Sequence, residues 1–183
     1  MPDAVPAAAT GPLYALGERR PRVAADAFVA PNAALIGDVM IGAQSGVWFA
    51  CVLRADTSEI RVGARTNIQD GTIVHVNHGM PTRIGDDVTI GHAAIIHACT
   101  LLDRAFVGMG ATVLDGAVIE EGGVLAAGAL LTPGKRIGRL ELWQGAPARL
   151  ARTMTPTERE RFDGNAVQYI ERAAEFRALL RGL

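Results

Sequence analysis

The segment VGMGATVLDGAVIEEGGVLAAGALLTPGKRI, from Val107 to Ile137, carries an aliphatic residue at every sixth position. These residues are Val107, Val113, Ile119, Leu125, Leu131 and Ile137. Small residues stand four places after the first four of them, at Ala111, Ala117, Gly123 and Ala129. No α-helix has this period, whereas a hexapeptide repeat is typical of a parallel β-helix. Each hexad is expected to form one short strand and one corner, with the aliphatic side chain pointing inward.

The same repeat extends through most of the chain. Further inward-facing residues are expected at Val23, Val29, Leu35, Ile41, Val47, Leu53, Val62, Ile68, Val74, Ile84, Ile90, Ile96 and Leu101. Three hexads, about 18 residues, would close one triangular coil. Nineteen repeats with so few breaks favour a left-handed β-helix over a β-sandwich with coincidental spacing.

The C-terminal segment lacks this repeat and has helical features instead. Thr155 and Glu158 form a capping-box pattern, with Pro156 at the first helical position. Apolar residues then follow one helical stripe, at Phe162, Ala166, Tyr169, Ile170, Ala173 and Leu180. We expect a helix that packs along one face of the β-helix, with Gly164 as a candidate break point.

These patterns predict an all-β protein, a left-handed parallel β-helix of hexapeptide repeats with a C-terminal α-helix. The chain divides into an N-terminal segment over residues 1–20, the β-helix over 21–145 and a helical segment over 146–183. The sequence GAPAR, Gly145 to Arg149, is the expected linker before the helical segment.

Composition narrows the classes of function. The 183 residues are 49% hydrophobic and 20% charged, with a formal net charge of −1, which suits one folded domain. No basic stripe favours nucleic-acid binding, and no apolar run is long enough to span a membrane. The chain start lacks the pattern of a signal peptide, so a cytoplasmic location is expected. Cys51 and Cys99 are interpreted as small buried groups rather than a disulfide, with Cys99 a weaker candidate for metal binding.

The histidines cluster in one short part of the repeat. All four of them, His75, His78, His92 and His97, lie within 23 consecutive positions. Counting hexads, with the extra residues after Leu53 and Val74 assigned to loops, places Leu53, Val74 and Ile96 on one face of three successive coils.

The residue after each inward-facing position should point outward, because side chains alternate along a strand. Arg54, His75 and His97 therefore form an outward column on coils about 4.8 Å apart. Two stacked imidazoles can bind one cation, since metal–nitrogen bonds are about 2.0–2.1 Å long. The alternative is a pair of solvated surface histidines, but stacking in register favours a ligand pair.

A third ligand is predicted from another subunit. His92 stands two places after Ile90, on a different face from His75 and His97, so it could reach their column only from a neighbouring chain. That arrangement requires an oligomer, for which a three-fold ring is natural. Asp70 occupies the equivalent place one coil below His92 and could orient its ring. His78 falls in the inserted loop and has no stacking partner.

Several motifs resemble the γ-class carbonic anhydrases and their relatives. They are VWFACVLRADTSEIRVGARTNIQDGTIVHV, PTRIGDDVTIGHAAIIHACTL, VGMGATVLDGAVI and, in the tail, NAVQYI. The resemblance covers about residues 21–150 and continues into the tail. It implies a homotrimer of left-handed β-helices with metal sites between subunits, in which His75 and His97 come from one chain and His92 from its neighbour.

The resemblance also implies roles for polar residues around the metal. Arg54 and Asp56 match an ion pair that spans the subunit boundary, and Gln69 matches a residue that holds solvent or substrate. Asn67 and Asp70 match polar residues near the same site. Zinc is the expected cation, with iron or cobalt as alternatives for an imidazole site. No further cofactor is expected.

The sequence departs from the family where protons are thought to leave the site. Thr57 replaces an acidic residue that follows the Arg-x-Asp motif, and the loop VNHGMPTR replaces a longer acidic one. His78 and Glu59 are the candidate substitutes for this relay. Ala55 and Ala98 stand where the family usually has glycine.

The resemblance implies reversible hydration of CO2 to bicarbonate, a carbonate dehydratase (lyase) activity. Two other functions stay open. One is acyl transfer or thioester hydrolysis on acyl-CoA, because many hexapeptide β-helices are acyltransferases. The other is a metal-binding trimer without catalytic activity, because the acidic relay is missing.

Overall fold

Short parallel strands and tight corners alternate along the chain in the computed structural model, which describes residues 11–182. The first ten residues of the predicted N-terminal segment, and Leu183, lie outside the described residues. The elements are β1 Leu13–Tyr14, β2 Arg22–Val23, β3 Phe28–Val29, β4 Ala34–Ile41, β5 Gly46–Val47, β6 Val52–Val62, β7 Asn67–Ile68, β8 Ile73–His75, β9 Thr82–Ile84, β10 Thr89–Ile90, β11 Ile95–His97, β12 Thr100–Leu101, β13 Phe106–Val107, β14 Thr112–Val113, β15 Val118–Ile119, β16 Val124–Leu125, β17 Leu130–Leu131, β18 Arg136–Ile137, β19 Glu141–Gly145, β20 Ala148–Thr153 and α1 Pro156–Leu179.

The strands stack into a left-handed parallel β-helix of about seven turns, which confirms the predicted fold. Face A contains β2, the end of β4, the end of β6, and β9, β12, β15 and β18. Face B contains β3, β5, β7, β10, β13, β16, β19 and β20. Face C contains β1, the start of β4, the start of β6, and β8, β11, β14 and β17. Faces A and C form one sheet because β4 and β6 continue around the corner between them.

The interior of the β-helix is filled by the hexad residues. Eighteen of the nineteen predicted inward-facing residues are buried, and Val23, near the N-terminal end, is partly buried. Residues at the same position of successive coils stack into ladders. The ladder of Leu53, Val74 and Ile96 on face C is fully excluded from solvent. Burying aliphatic side chains against their own ladder stabilises each coil by about 1.5–3 kcal/mol per side chain.

The corners require an unusual backbone. Several non-glycine residues there have positive φ, including Ala50 at 58° and Ala98 at 46°. Left-handed conformation costs about 1–2 kcal/mol for a residue with a Cβ. Ala98 also has its methyl group buried, so packing offsets part of that cost.

Helix α1 is one continuous element across Gly164, so the candidate break there is wrong. Its N-terminus has the predicted capping box, in which the Thr155 hydroxyl accepts from the Glu158 backbone N–H and the Glu158 carboxylate accepts from the Thr155 N–H. The helix packs on face B, where Phe176 meets Trp48 at 5.1 Å and Phe28 at 5.9 Å between ring centroids. These aromatic contacts hold α1 on face B, the face that carries His92.

The two ends of the predicted β-helix segment are built from strands. Leu13 in β1 pairs with Leu35, so part of the predicted N-terminal segment already belongs to face C. The segment predicted as a linker forms the turn of an antiparallel hairpin between β19 and β20. The division of the chain at positions 20 and 145 stays a prediction.

Candidate metal centre

His75 and His97 are stacked on neighbouring coils of face C. They end β8 and β11 and are direct partners in the parallel register, and Arg54 is the partner of His75 one coil below. The column expected from hexad counting is therefore present. The Nδ1 atom of His75 lies 3.0 Å from the Nε2 atom of His97. Both side chains are partly buried, at 21% and 29% exposure.

Each ring of this pair meets a carboxylate at its other nitrogen. His75 Nε2 lies 3.0 Å from Asp56 Oδ1, and His97 Nδ1 lies 2.5 Å from Asp115 Oδ1. An ionised carboxylate only accepts hydrogen bonds, so each of these far nitrogens must carry the proton. In two neutral rings the facing nitrogens then present only lone pairs to each other. That arrangement is unfavourable unless a positive charge lies between them.

The pair suits a divalent cation. Two nitrogens bound to one tetrahedral metal at about 2.0–2.1 Å lie about 3.3–3.4 Å apart, close to the separation of the facing nitrogens. A carboxylate on the far nitrogen is also the usual support of a metal-bound histidine. Within residues 11–182 of one chain, no group of three or more His, Cys, Asp or Glu side chains is arranged to hold a metal ion. One chain therefore offers two of the ligands that the sequence predicts.

Asp56 links the histidine pair to arginine. The Arg54 guanidinium donates to its carboxylate, and Arg19 donates to its backbone carbonyl. Burial raises the pKa of Asp56, but the hydrogen bond from His75 and the charge of Arg54 outweigh it and hold that pKa below its usual value. The carboxylate stays ionised at neutral pH and can accept a hydrogen bond from the His75 Nε2–H group. Within one chain Arg54 and Asp56 are partners, and their part in a subunit boundary stays a prediction.

His92 lies at the corner after β10, on face B rather than face C. Its Nδ1 atom is 2.9 Å from Asp70 Oδ2, on the coil below, as the sequence suggested. The other oxygen of Asp70 accepts from the backbone N–H of Phe49, which fixes the carboxylate. The Nε2 atom of His92 is thereby the nitrogen left for a ligand, on a side chain that is 44% exposed.

Gln69 and Asn67 form a buried polar chain beside His92. The Gln69 amide donates to Asn67 Oδ1 at 3.0 Å, and the Asn67 amide donates to Thr89 Oγ1 at 3.0 Å. Gln69 is 5% exposed and Asn67 is 2% exposed. This hydrogen bond fixes the orientation of the Gln69 amide, and the role of Gln69 in holding solvent or substrate stays a prediction.

A cavity of about 440 Å³ opens between face B and α1. Gln69 and His92 line it together with Asn165 and Tyr169 from the helix. The rest of the wall is mainly apolar and includes Phe106, Met109, Val124, Leu142 and Phe162. The cavity gives a small molecule access to Gln69 and His92, two of the predicted site residues of face B.

The two candidate relay residues, Glu59 and His78, bond to groups other than the histidine pair. Glu59 pairs with Arg61 at 2.8 Å and with Arg83 at 3.2 Å. His78 is exposed in the loop between β8 and β9, where its backbone N–H donates to Asn77 Oδ1. Their part in proton transfer stays a prediction.

Asp115 was missed by the sequence reasoning. It lies at the corner after β14, where Val113 is the partner of Ile96. Extending the face C column by one coil leads to Leu114, so Asp115 stands one place beyond the column and the register did not predict it. Asn77, which donates to Asp115, had no signal either because it lies in an inserted loop outside the repeat.

Both cysteines are free and buried, as predicted. Burial raises the pKa of the Cys51 thiol and of the Cys99 thiol to about 12. Buried neutral thiols are poor metal ligands and poor nucleophiles. Neither residue is part of the candidate centre.

Comparison with known proteins places these features in one family. The chain is 49% identical to γ carbonic anhydrase 2, mitochondrial, of Arabidopsis thaliana over 162 residues, which is 85% of the chain and 58% of that relative. It is 36% identical to a carbonic anhydrase of Geobacillus kaustophilus, covering 91% of the chain and 92% of the relative. The chain belongs to the γ-carbonic anhydrase family. No family model matches the sequence.

The solved structures similar to this γ-carbonic anhydrase family member include a hexapeptide transferase family protein from Anaplasma phagocytophilum. It shares 48% identity at a TM-score of 0.87, covering 90% of this chain and 98% of the other. The chain spans 58% of the length of the Arabidopsis relative, so what that whole protein does is not carried over directly. In residues 11–182 no helix is both long and apolar enough to cross a membrane.

Proposed function

We propose that this protein catalyses the reversible hydration of CO2 to bicarbonate at a three-histidine metal site shared between subunits of a homotrimer. His75 and His97 come from one chain and His92 from the next. The observation that carries the proposal is the stacked pair of His75 and His97, whose facing nitrogens lie 3.0 Å apart while a carboxylate holds each far nitrogen.

The cation supplies the chemistry that the side chains lack. A divalent ion held by three neutral imidazoles would lower the pKa of its bound water to roughly 7, and zinc is the first choice, with Fe²⁺ or Co²⁺ as alternatives. Asp56 and Asp70 orient the rings of His75 and His92, each with one ring nitrogen beside a carboxylate and the other left to bind the cation. Gln69 directs its amide oxygen at solvent or substrate from a position fixed by Asn67.

The apolar cavity beside Gln69 suits the substrate. CO2 has no net dipole and needs no hydrogen-bond donors to leave water, whereas bicarbonate is charged and returns to solvent. The mainly apolar wall with a few convergent polar groups is typical of a small-molecule site.

The first alternative is acyl transfer or thioester hydrolysis on acyl-CoA. It is favoured by the Anaplasma relative, which is described as a member of a hexapeptide transferase family. An acyltransferase of this architecture uses a single histidine as base and needs no metal, so the two carboxylate-supported imidazoles facing each other favour the carbonic anhydrase function.

The second alternative is a metal-binding trimer that does not turn over CO2. It is favoured by the bonding of Glu59, whose carboxylate is held between two arginines rather than free to carry protons. We also propose a cytoplasmic location, with CO2 and bicarbonate as the small-molecule partners and with no nucleic-acid or membrane partner.

The test is CO2 hydration measured by stopped flow on protein loaded with zinc and, separately, with iron under anaerobic conditions. We expect turnover that His97→Ala abolishes and that His78→Ala, the matched loop histidine, reduces much less. Metal bound at full occupancy without turnover in either form would identify the silent trimer. No metal bound, with transfer from acyl-CoA, would identify the acyltransferase.

A further inference from the structure

Asp115 uses both of its carboxylate oxygens on side chains. Oδ1 lies 2.5 Å from His97 Nδ1, and Oδ2 accepts from the Asn77 amide at 2.9 Å. With a partner on each oxygen, the carboxylate cannot rotate without breaking a hydrogen bond.

This bonding differs from that of two other corner carboxylates, Asp86 and Asp103. Asp86 accepts from the backbone N–H of Ala64 at 2.8 Å, and Asp103 accepts from the backbone N–H of Asp86 at 2.9 Å. Those carboxylates join one coil to the next through the main chain, which is a structural role. Asp115 instead connects the side chain of His97 to the inserted loop.

The loop end of this connection is itself held rigidly. Asn77 and Met80 exchange two backbone hydrogen bonds, at 3.1 and 2.9 Å. Asn77 Oδ1 accepts from the backbone N–H of His78 at 2.8 Å, which leaves the amide NH2 group to face Asp115. At the other end of the loop, the Thr82 hydroxyl donates to the His75 carbonyl at 2.6 Å. The loop thus contacts both stacked histidines, one through the backbone and one through Asp115.

We propose that Asp115, held by Asn77, is a positioning residue that fixes His97 with its proton on Nδ1 and directs the Nε2 lone pair at Nδ1 of His75. A histidine can carry its proton on either nitrogen, and the hydrogen bond made by one nitrogen decides which one is left for a ligand. If Asp115 is removed, His97 can turn or change tautomer, and its Nε2 atom is no longer prepared for a cation. The link to metal binding rests on the proposed function, whereas the tautomer does not.

The first measurement is the tautomer of His97 in metal-free protein, from ¹⁵N NMR of the imidazole. The proposal expects a proton on Nδ1 in the parent protein. Asp115→Ala should lose that single tautomer, and Asp115→Asn, which keeps an acceptor oxygen, should retain much of it. Asn77→Ala should give a smaller change in the same direction as Asp115→Ala.

The second measurement is zinc affinity by competition with a chromophoric chelator. Loss of an outer partner of a metal-bound histidine typically weakens metal binding by about 10–100-fold, which is the loss expected for Asp115→Ala. Asp103→Asn is the matched control, because the Asp103 carboxylate bonds to the backbone of a neighbouring coil rather than to a histidine. It should change neither zinc affinity nor the His97 tautomer.

Unchanged tautomer and zinc affinity in Asp115→Ala would overturn the proposal, and so would an equal loss in Asp103→Asn. If Asp115→Ala does not fold, Asn77→Ala decides, because it should shift the His97 tautomer and weaken zinc binding in the same direction, and an unchanged result there would overturn the proposal. If the parent protein binds no zinc, the proposed function fails, but the NMR result still tests the role of Asp115.

Discussion

Asp70 and His92 are joined across two coils, with 2.9 Å between Oδ2 and Nδ1, at a corner of face B. His75 and His97 are on face C, so His92 is held beside a different wall of the prism. This relationship makes the shared site testable, because the two parts of the predicted ligand set can be inactivated in different chains.

Co-refolding of His75→Ala with His92→Ala should restore metal binding that each variant lacks. In a three-fold ring each site needs an intact pair from one chain and an intact His92 from the next, so random mixing restores roughly a quarter of the sites. Metal content would be measured after the mixed trimers are verified by mass. A mixture of His75→Ala with His97→Ala is the control and should restore nothing, since both changes damage the same pair. Background metal in the first mixture would contradict a shared site.

The rate of CO2 hydration should depend on buffer concentration. Glu59 is held by two arginines and His78 is exposed on the loop, so neither is bonded to the histidine pair to carry its protons away. We expect turnover to be slow in weak buffer and to rise as imidazole is added. Fast turnover that imidazole does not change would instead assign the relay to one of these two residues, which Glu59→Gln and His78→Ala would distinguish.

Ala50→Gly should stabilise the protein by about 0.5–1 kcal/mol. Ala50 is exposed with φ of 58°, and release of about 1–2 kcal/mol of left-handed strain exceeds the roughly 0.4–1 kcal/mol lost to chain entropy. Ala127 is an exposed corner alanine outside the positive-φ set, so Ala127→Gly should destabilise. Urea unfolding of the two variants gives the comparison, and a loss of stability in Ala50→Gly would contradict the strain at that corner.

Asp38→Asn should weaken the fold at neutral pH and make its stability less sensitive to acid. The two hydrogen bonds from Arg61 hold the pKa of Asp38 below its usual value. A carboxylate with a lowered folded pKa contributes stability above its unfolded pKa of about 3.9, and that stability is lost as pH falls through the folded value. We expect a difference of about 1 kcal/mol at pH 7 between the parent protein and Asp38→Asn, near the upper end for a partly exposed pair. Unfolding at pH 7 and at pH 3 should show this difference shrinking, and a constant difference would rule out the linkage.

Cys51 and Cys99 should not react with a thiol reagent in the native protein at pH 8. Burial raises both thiol pKa values to about 12, so almost no thiolate is present and the sulfur atoms are inaccessible. Two thiols should become reactive when urea unfolds the chain. Rapid labelling of either cysteine before unfolding would show that its coil opens.

The hexad positions could be predicted because one rule governs them. Every inward residue has the same neighbours above and below, so counting six along the chain assigns Leu53, Val74 and Ile96 to one ladder before any coordinate is known. Features that break the rule were harder to predict. Gly164 does not interrupt α1 because the helix is held by packing on both sides of it, and the linker sequence forms a hairpin because β19 offers an edge for pairing.

The residues of the candidate site also differ in whether the repeat predicts their position. The stacked pair follows from register, and Asp70 follows from its place below His92. Asp115 reaches His97 from a corner, where the direction of a side chain depends on local backbone rather than on alternation along a strand. Asn77 depends on the shape of a loop, which no repeat specifies.

The antiparallel turn at β20 has a consequence for how the rod ends. A stack of identical parallel coils exposes unpaired backbone groups at its last turn, and such an edge can template growth by a second rod. On face B the final strand runs against the others, so the spiral cannot continue from it in phase. That strand also presents the exposed cations Arg149 and Arg152 along its edge. The hairpin therefore blocks in-phase extension of face B at this end of the molecule.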